Sequence, residues 1–274
     1  MEFSTFITTA LALLFLSAAG YAYYHHLYPA KVSSKSRTTA QTWIAPLDLI
    51  IMGIIFSFYG LSAIASSSAP PSPLDLSKIT VSSIAVTAFS SLIILFPVGC
   101  RWATLGKEHP FYQACSLQPF KPKTVLLYYV IGIGLTIAIN FVIQQPAVLE
   151  TLENLFGPSK LQNSVKALAE HSDPWVLGAI SFSAIIIAPL IEELIFRGYF
   201  LPVLQKFTNV TFALIWQALC FSLIHANMLG IFSLFALGLV LGIAYLKSKS
   251  LWVPIGVHAA FNATTIAFQI LERN

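Results

Sequence analysis

Charged residues are scarce in this chain of 274 residues. Asp, Glu, Lys and Arg make up 9% of it, against about 25% in a typical soluble domain. Hydrophobic residues make up 57%, and the mean hydropathy is +0.77. Because so little charge cannot cover a water-exposed surface, the composition excludes a soluble domain. It indicates an integral, multi-pass membrane protein that has the lipid bilayer as a partner.

Two further absences narrow the classes of function. No basic cluster is interleaved with aromatic residues, so no nucleic acid is expected as a partner. The three cysteines, Cys100, Cys115 and Cys220, are too scattered for a disulfide framework or a cysteine-based zinc site. We interpret them as reduced, structural thiols.

The apolar residues fall into eight blocks long enough to cross a bilayer, near 3–24, 44–65, 79–99, 124–144, 175–196, 208–224, 229–246 and 252–270. This pattern predicts an all-α fold, a polytopic membrane helical bundle of about eight transmembrane helices. The first block lacks a preceding basic segment and is long for a signal peptide, so we expect a retained helix.

The connecting segments predict the orientation and a division into three parts. Odd-numbered connections hold eleven Lys and Arg, and the even-numbered ones with the C-terminal tail hold four. The positive-inside rule then places the odd connections in the cytoplasm and both termini outside. We expect N-terminal helices of unknown role over 1–145, an interfacial amphipathic segment over 146–174 and a core domain over 175–270. A Ser- and Pro-rich connection covers 66–73.

Ionisable side chains inside apolar spans are functional candidates, because burying one costs about 2.5–3.5 kcal/mol even on the lenient insertion scale. Asp48 lies near Trp43 and is expected to reach the membrane interface. His25, His26 and His109 lie in polar connections. The remaining candidates are in the C-terminal half of the chain.

The fifth span carries two adjacent carboxylates. Glu193 and Arg197 are four residues apart in the favourable orientation, so they can pair along one helix face. Glu192 is turned about 100° away and is left without that partner. An unpaired carboxylate in an apolar setting suits a general base, and Pro189 can kink the helix beside it. The alternative is a Glu-Glu-Arg cluster that only anchors the helix end.

The later spans supply imidazole and amide groups. Phe221 and His225 share a face of the sixth span, and His258 and Asn262 share a face of the eighth. These groups either line a polar cavity or join helices by hydrogen bonds. With Glu192 they form the inventory for hydrolysing an amide, namely a base, a group that shares its proton and donors for an oxyanion. The Gly-x-x-x-Gly spacing of the seventh span is interpreted as helix packing.

The order Glu-Glu-x-x-x-Arg, Phe-x-x-x-His and His-x-x-x-Asn resembles the CAAX prenyl protease and bacteriocin-processing (CPBP) family of intramembrane endopeptidases. Trp252 and Pro254, ahead of the last motif, also fit, and the match covers roughly 175–267. The resemblance implies that Glu192 and His225 activate water, while His258 and Asn262 stabilise the oxyanion. It implies catalytic roles for Glu192, His225, His258 and Asn262, supported by Glu193, Arg197 and Phe221.

The resemblance also raises the question of a metal, since the family is often labelled as metalloproteases. The chain has no His-Glu-x-x-His motif. Glu192, His225 and His258 could bind Zn²⁺ with an open fourth position. We favour a metal-free glutamate mechanism without a cofactor and keep zinc as the alternative.

The depths of these residues along their helices do not all agree. At ~1.5 Å per residue, His258 and Asn262 lie about 14 and 20 Å from Lys249, whereas His225 lies about 29 Å from Lys206. His225 can reach the depth of the other residues if the sixth helix is strongly tilted, if that helix begins below the membrane, or if the cavity is deep.

Three functions are compatible with these residues. The first is an intramembrane endopeptidase that cuts a membrane-anchored or lipidated peptide or protein, in the cell membrane of a bacterium or the endoplasmic reticulum of a eukaryote. The second is a non-proteolytic membrane scaffold or bacteriocin-immunity factor with the same cavity. The third, a transporter, ranks last because no inverted repeat is visible.

Overall fold

A computed structural model of the protein describes residues 44–68, 75–105, 116–156, 163–225, 227 and 229–272. The predicted first span, 3–24, lies outside these residues. So do His25, His26, His109, Cys115 and most of the Ser- and Pro-rich connection.

The described part of the chain contains nine α-helices and no strand. They are α1 (Pro46–Ser68), α2 (Val81–Leu105), α3 (Pro122–Ile143), α4 (Pro146–Phe156), α5 (Asn163–Glu170), α6 (Pro174–Phe207), α7 (Val210–Ile224), α8 (Ile231–Ser248) and α9 (Trp252–Leu271). The all-α prediction is therefore confirmed, and seven of the eight predicted spans coincide with helices. The described residues of the segment 146–174 include α4 and α5, and the place of this segment at the membrane interface stays a prediction.

Local sequence explains where several helices begin and end. Asp173 accepts a hydrogen bond from the backbone N–H of Trp175 at 2.8 Å and so caps α6, whose first residue is a proline. Asn209 caps α7 in the same way through Phe212, at 2.9 Å. Lys249 adopts φ 55° and ends α8 in the left-handed conformation.

The outer surface of the bundle is apolar, as a lipid-facing surface must be. Phe89 and Phe96 on α2 are 72% and 71% exposed, and Phe141 on α3 is 71% exposed. Helices α2, α3, α6 and α8 are long and apolar enough to cross a membrane, and α1 and α7 contain shorter apolar stretches. The amides and hydroxyls of α9 make it more polar than those four, although it matches the predicted eighth span. The protein is an integral, multi-pass membrane protein.

The long helix α6 is interrupted twice by π-helical turns, over Ser183–Ile187 and Leu194–Phe200. Each turn ends two residues before a proline, Pro189 or Pro202. At the first turn the N–H of Ala188 donates to the carbonyl oxygen of Ser183, five residues earlier. In a regular α-helix it would donate to the carbonyl oxygen of Ala184, four residues earlier. The next residue, Pro189, has no N–H that could donate to Ala184 in place of Ala188. The Ala184 carbonyl is therefore left without a donor from the helix.

Helices α7 and α8 are in close contact at the Gly-x-x-x-Gly motif. A Cβ added at Gly238 would lie 3.0 Å from Cα and 3.1 Å from Cβ of Ala218 on α7. A Cβ at Gly242 would lie 2.8 Å from the amide nitrogen of Gln217. The motif therefore allows α7 to approach the α8 backbone and makes room for a buried polar side chain.

We predict that Gly238→Ala lowers the thermal midpoint of the protein in detergent, because the obstructing atoms are the Cα, Cβ and carbonyl oxygen of Ala218, which can move only together with the α7 backbone. The matched control is Gly134→Ala on α3, where an added Cβ meets nothing within 4 Å. That change should leave the midpoint unchanged or raise it, since alanine favours helix by roughly 0.5–1 kcal/mol over glycine. Equal midpoints for the two variants would contradict this packing account.

Candidate functional site

The predicted ion pair of the fifth span is present and fully buried. Nη1 of Arg197 donates to Oε1 of Glu193 at 2.7 Å, and both side chains are 0% exposed. Nη2 of Arg197 donates to the carbonyl oxygen of Gly238 on α8 at 3.0 Å. His258 on α9 adds a third bond, from Nδ1 to the same Glu193 oxygen at 2.9 Å. We call Glu193, Arg197 and His258 the buried triad; it connects α6, α8 and α9.

Glu192 faces a different set of groups. Its Oε2 lies 3.6 Å from Nε2 of His225 and 3.9 Å from Nε2 of His258. These distances are too long for direct hydrogen bonds, and within the described residues this oxygen has no hydrogen-bond partner. The Glu192 side chain is 20% exposed. The neighbouring carboxylates thus differ, since Glu193 is held by two donors and Glu192 is left for other contacts.

The hydrogen bonds of both histidines determine which nitrogen faces Glu192. Nδ1 of His225 lies 2.7 Å from the carbonyl oxygen of Phe221, which can only accept, so Nδ1 is the donor. Nδ1 of His258 donates to Glu193 by the same reasoning. In the neutral rings, both Nε2 atoms therefore present lone pairs toward Glu192. Three proton acceptors converge at this point.

Phe221 contacts the Arg197 guanidinium and both imidazole rings. Its ring is 0% exposed and has the guanidinium carbon of Arg197 at 4.6 Å from its centroid. The rings of His225 and His258 lie 4.8 and 5.6 Å from it, centroid to centroid. The Phe221 ring thus packs against the Arg197 guanidinium and against both imidazoles.

Asn262 supports the break in α6. Its Nδ2 donates to the carbonyl oxygen of Ala184 at 2.8 Å. This is the carbonyl that the π-turn and Pro189 leave without a helical donor. Asn262 therefore stabilises the distorted helix just before the two carboxylates. Its amide nitrogen has a second N–H that this bond does not use.

Asp48 is buried inside the helical bundle and paired there; its depth relative to the membrane interface stays a prediction. Its side chain is 0% exposed and accepts from Nε of Arg101 at 2.9 Å and from the hydroxyl of Tyr199 at 2.7 Å. Buried charges are found paired and hydrogen-bonded. The hydropathy pattern could not reveal this, because the partners lie on α2 and α6. The network joins α1 and α2 to the second π-turn of α6.

Gln217 is a second residue that the sequence reading missed. It is 0% exposed, and its Nε2 donates to the carbonyl of Gly238 at 2.9 Å. That oxygen also accepts from Arg197. The only available signal was a glutamine within an apolar span.

A cavity of about 200 Å³ adjoins Glu192 and His225. Its walls come from α1, α2, α6 and α7. They consist of Tyr59, Ala88, Ser91, Ile94, Ser183, Ile187, Ala188, Ile191, Glu192, Ile224 and His225. An apolar cavity that contains a few convergent polar groups, here a carboxylate and an imidazole, is a candidate binding site.

The depth discrepancy for His225 has a physical explanation. Helix α6 continues to Phe207 and has 34 residues, or about 50 Å, which exceeds a hydrocarbon core of roughly 30 Å. At least one end of α6 therefore extends beyond the hydrocarbon core, so the count from Lys206 is not a reliable depth. The structure brings His225 beside Glu192 directly.

The donor atoms do not support a zinc site. Among the residues that the structure describes, no group of three His, Cys, Asp or Glu side chains could hold a metal ion. The predicted ligand set of Glu192, His225 and His258 does come together, with Oε2 of Glu192 3.6 and 3.9 Å from the two Nε2 atoms, but it does not form such a group.

Fold and site together define a polytopic helical membrane protein with a carboxylate and two imidazoles converging in its interior. The family model described as type II CAAX prenyl endopeptidase Rce1-like matches residues 174–264. This confirms, for that segment, the resemblance that the motifs indicated. The matched segment extends from the start of α6 into α9 and includes every predicted site residue.

A curated relative supports the same similarity. The protein named "Putative membrane peptidase YdiL" of Bacillus subtilis (strain 168) is 31% identical over 85 residues. That stretch is 31% of this chain and 35% of the relative, so the chain spans about a third of the relative's length. No solved structure gives a significant match.

We predict that the two adjacent glutamates differ sharply in their effect on stability. Glu193→Ala leaves the Arg197 guanidinium buried without a carboxylate, and breaking such a pair costs about 3–5 kcal/mol. Glu192→Ala removes a partly exposed carboxylate whose Oε2 has no hydrogen-bond partner among the described residues, so the thermal midpoint in detergent should hardly change. A larger loss of folded protein for Glu192→Ala would contradict the assignment of the buried triad.

Proposed function

We propose that the chain is an intramembrane endopeptidase that hydrolyses a peptide bond of a membrane-anchored or lipidated substrate. The observation that carries the proposal is the convergence of Glu192 Oε2 with Nε2 of His225 and of His258, at 3.6 and 3.9 Å. The similarity of residues 174–264 to the CAAX prenyl endopeptidases supports it.

In the proposed reaction, Glu192 and His225 accept hydrogen bonds from one water molecule. The carboxylate takes a proton as the water oxygen forms a bond to the peptide carbonyl carbon. The carbonyl π-electrons move onto its oxygen and give a tetrahedral oxyanion. The C–N bond then breaks, and the proton held by Glu192 or His225 passes to the leaving amine. Water is consumed, and a carboxylate and an amine are released.

His258 and Asn262 are proposed to stabilise the oxyanion. Because Nδ1–H of His258 is bonded to Glu193, its Nε2 can donate only when the ring is an imidazolium. The Glu193 carboxylate at 2.9 Å would stabilise that cation. Asn262 would donate the N–H that its bond to Ala184 leaves unused.

Glu193, Arg197 and Phe221 would position the reacting groups. Arg197 fixes the Glu193 carboxylate by a bond of 2.7 Å. That carboxylate fixes the ring of His258, and Phe221 packs on both imidazoles. Rotation of the His225 or the His258 ring would move its Nε2 away from Glu192. The triad, through His258, and the Phe221 ring, through both imidazoles, would oppose that rotation.

We predict that Glu192→Gln and His225→Ala each reduce cleavage by at least about 10²-fold, the usual contribution of a general base. The substrate is an S-farnesylated peptide that ends in Cys-aliphatic-aliphatic-X, and the readout is the release of its C-terminal fragment in detergent micelles. Glu153→Gln on α4 and His171→Ala before α6 are matched controls outside the site and should cleave normally. Unchanged cleavage by both site variants, with folded protein present, would overturn the proposal and favour a scaffold.

A second prediction concerns zinc. The purified protein should retain its cleavage rate after incubation with a strong chelator and dialysis, because the proposed steps use only side chains of the chain. Metal analysis of the same preparation should show no stoichiometric zinc. Zinc at one ion per chain, lost together with activity and restored with it, would require a metal-dependent mechanism instead.

A further inference from the structure

The cavity beside Glu192 is shared between two parts of the chain. The family similarity begins at residue 174, yet Tyr59 on α1 and Ala88, Ser91 and Ile94 on α2 line the same cavity as Glu192. The N-terminal helices, for which the sequence predicted no role, therefore supply one wall. We call the three residues on α2, namely Ala88, Ser91 and Ile94, the α2 wall.

Helices α2 and α6 run side by side in the same direction. Near their starts, Ile84 packs against the cluster that contains Ile180. Near their ends, Trp102 packs edge-on against Tyr199, with ring centroids 6.2 Å apart. The Asp48 network fixes this alignment at the Tyr199 end. The α2 wall is thus held in a set register opposite the carboxylate.

Small side chains produce the space between these two helices. Ala88 and Ser91 on α2 face the same cavity as Ser183 and Ala188 on α6. The volume of about 200 Å³ equals roughly seven water molecules at ~30 Å³ each. That volume accommodates a peptide group with small side chains beside it.

We infer that the α2 wall selects substrates by the size of the side chain next to the bond that is cut. The inference rests on the proposed function, because it places the peptide bond at Glu192. Ser91 and Ala88 leave room for that side chain, and Ile94 bounds it with apolar surface. The substrate class is a peptide segment with a small aliphatic residue at this position.

The chain offers a matched pair of serines for the test. Ser90 and Ser91 are adjacent, and both hydroxyls donate to the carbonyl of Thr87, at 2.8 and 3.0 Å. Ser91 lines the cavity, whereas Ser90 is on the exposed side of α2. Ser91→Phe should therefore fill the cavity, and Ser90→Phe should extend into the lipid.

The readout is a ratio of kcat/KM values for two S-farnesylated peptides that carry Ala or Leu next to the cut bond. A size change of this kind in an apolar pocket is worth about 10–200-fold. Ser91→Phe should lower the Leu/Ala ratio by at least ~10-fold, Ile94→Ala should raise it, and Ser90→Phe should leave it unchanged. A global loss of structure would reduce both rates and leave the ratio alone.

The outcomes separate this inference from the proposed function. If the wild type cleaves and neither Ser91→Phe nor Ile94→Ala changes the ratio, the α2 wall is overturned and the protease proposal stands. If the wild type does not cleave, a protein with its three native cysteines replaced by alanine is used. Cysteine introduced at Ser91 should then react with maleimide, and addition of the farnesylated peptide should prevent that reaction. Without that protection the inference fails.

Discussion

The buried Glu193 carboxylate is the interaction on which the rest of the site depends. It receives Arg197 from its own helix and His258 from α9, and Arg197 extends the network to the backbone of α8. In a membrane interior, an unpaired charge at this position would be expensive. Because Arg197 and His258 hold Oε1 of Glu193 and the Glu193 side chain is fully buried, the partly exposed Glu192 is the carboxylate that remains to contact a substrate or water.

The backbone of α6 is adapted to this arrangement. Two π-turns and two prolines rotate the helix around the carboxylates, and Asn262 compensates for the carbonyl that the first turn leaves without a donor. Distortions of this kind are frequent at functional sites. The same residue that is proposed to bind the oxyanion therefore also maintains the helix that carries the base. Loss of Asn262 is expected to affect both tasks.

Hydropathy and helical spacing were sufficient to predict much of this picture. The apolar blocks match α1, α2, α3 and α6–α9, and the i, i+4 spacing predicted the Glu193–Arg197 pair because both effects are local in the chain. Contacts between distant segments could not be predicted. Asp48 and Tyr199 are 151 residues apart, and no pattern in one apolar span reveals which other helix satisfies its carboxylate. For the same reason, the contribution of α2 to the cavity appeared only in the fold.

The most direct test of the account is the source of the oxygen in the product. A single turnover of the S-farnesylated peptide in H₂¹⁸O shows whether the new oxygen of the product comes from water or from the Glu192 carboxylate. The account predicts ¹⁸O in the new carboxyl group from the first turnover onward. Unlabelled product in the first turnover, with ¹⁸O appearing only later, would show that Glu192 forms a covalent intermediate and would contradict its role as a base.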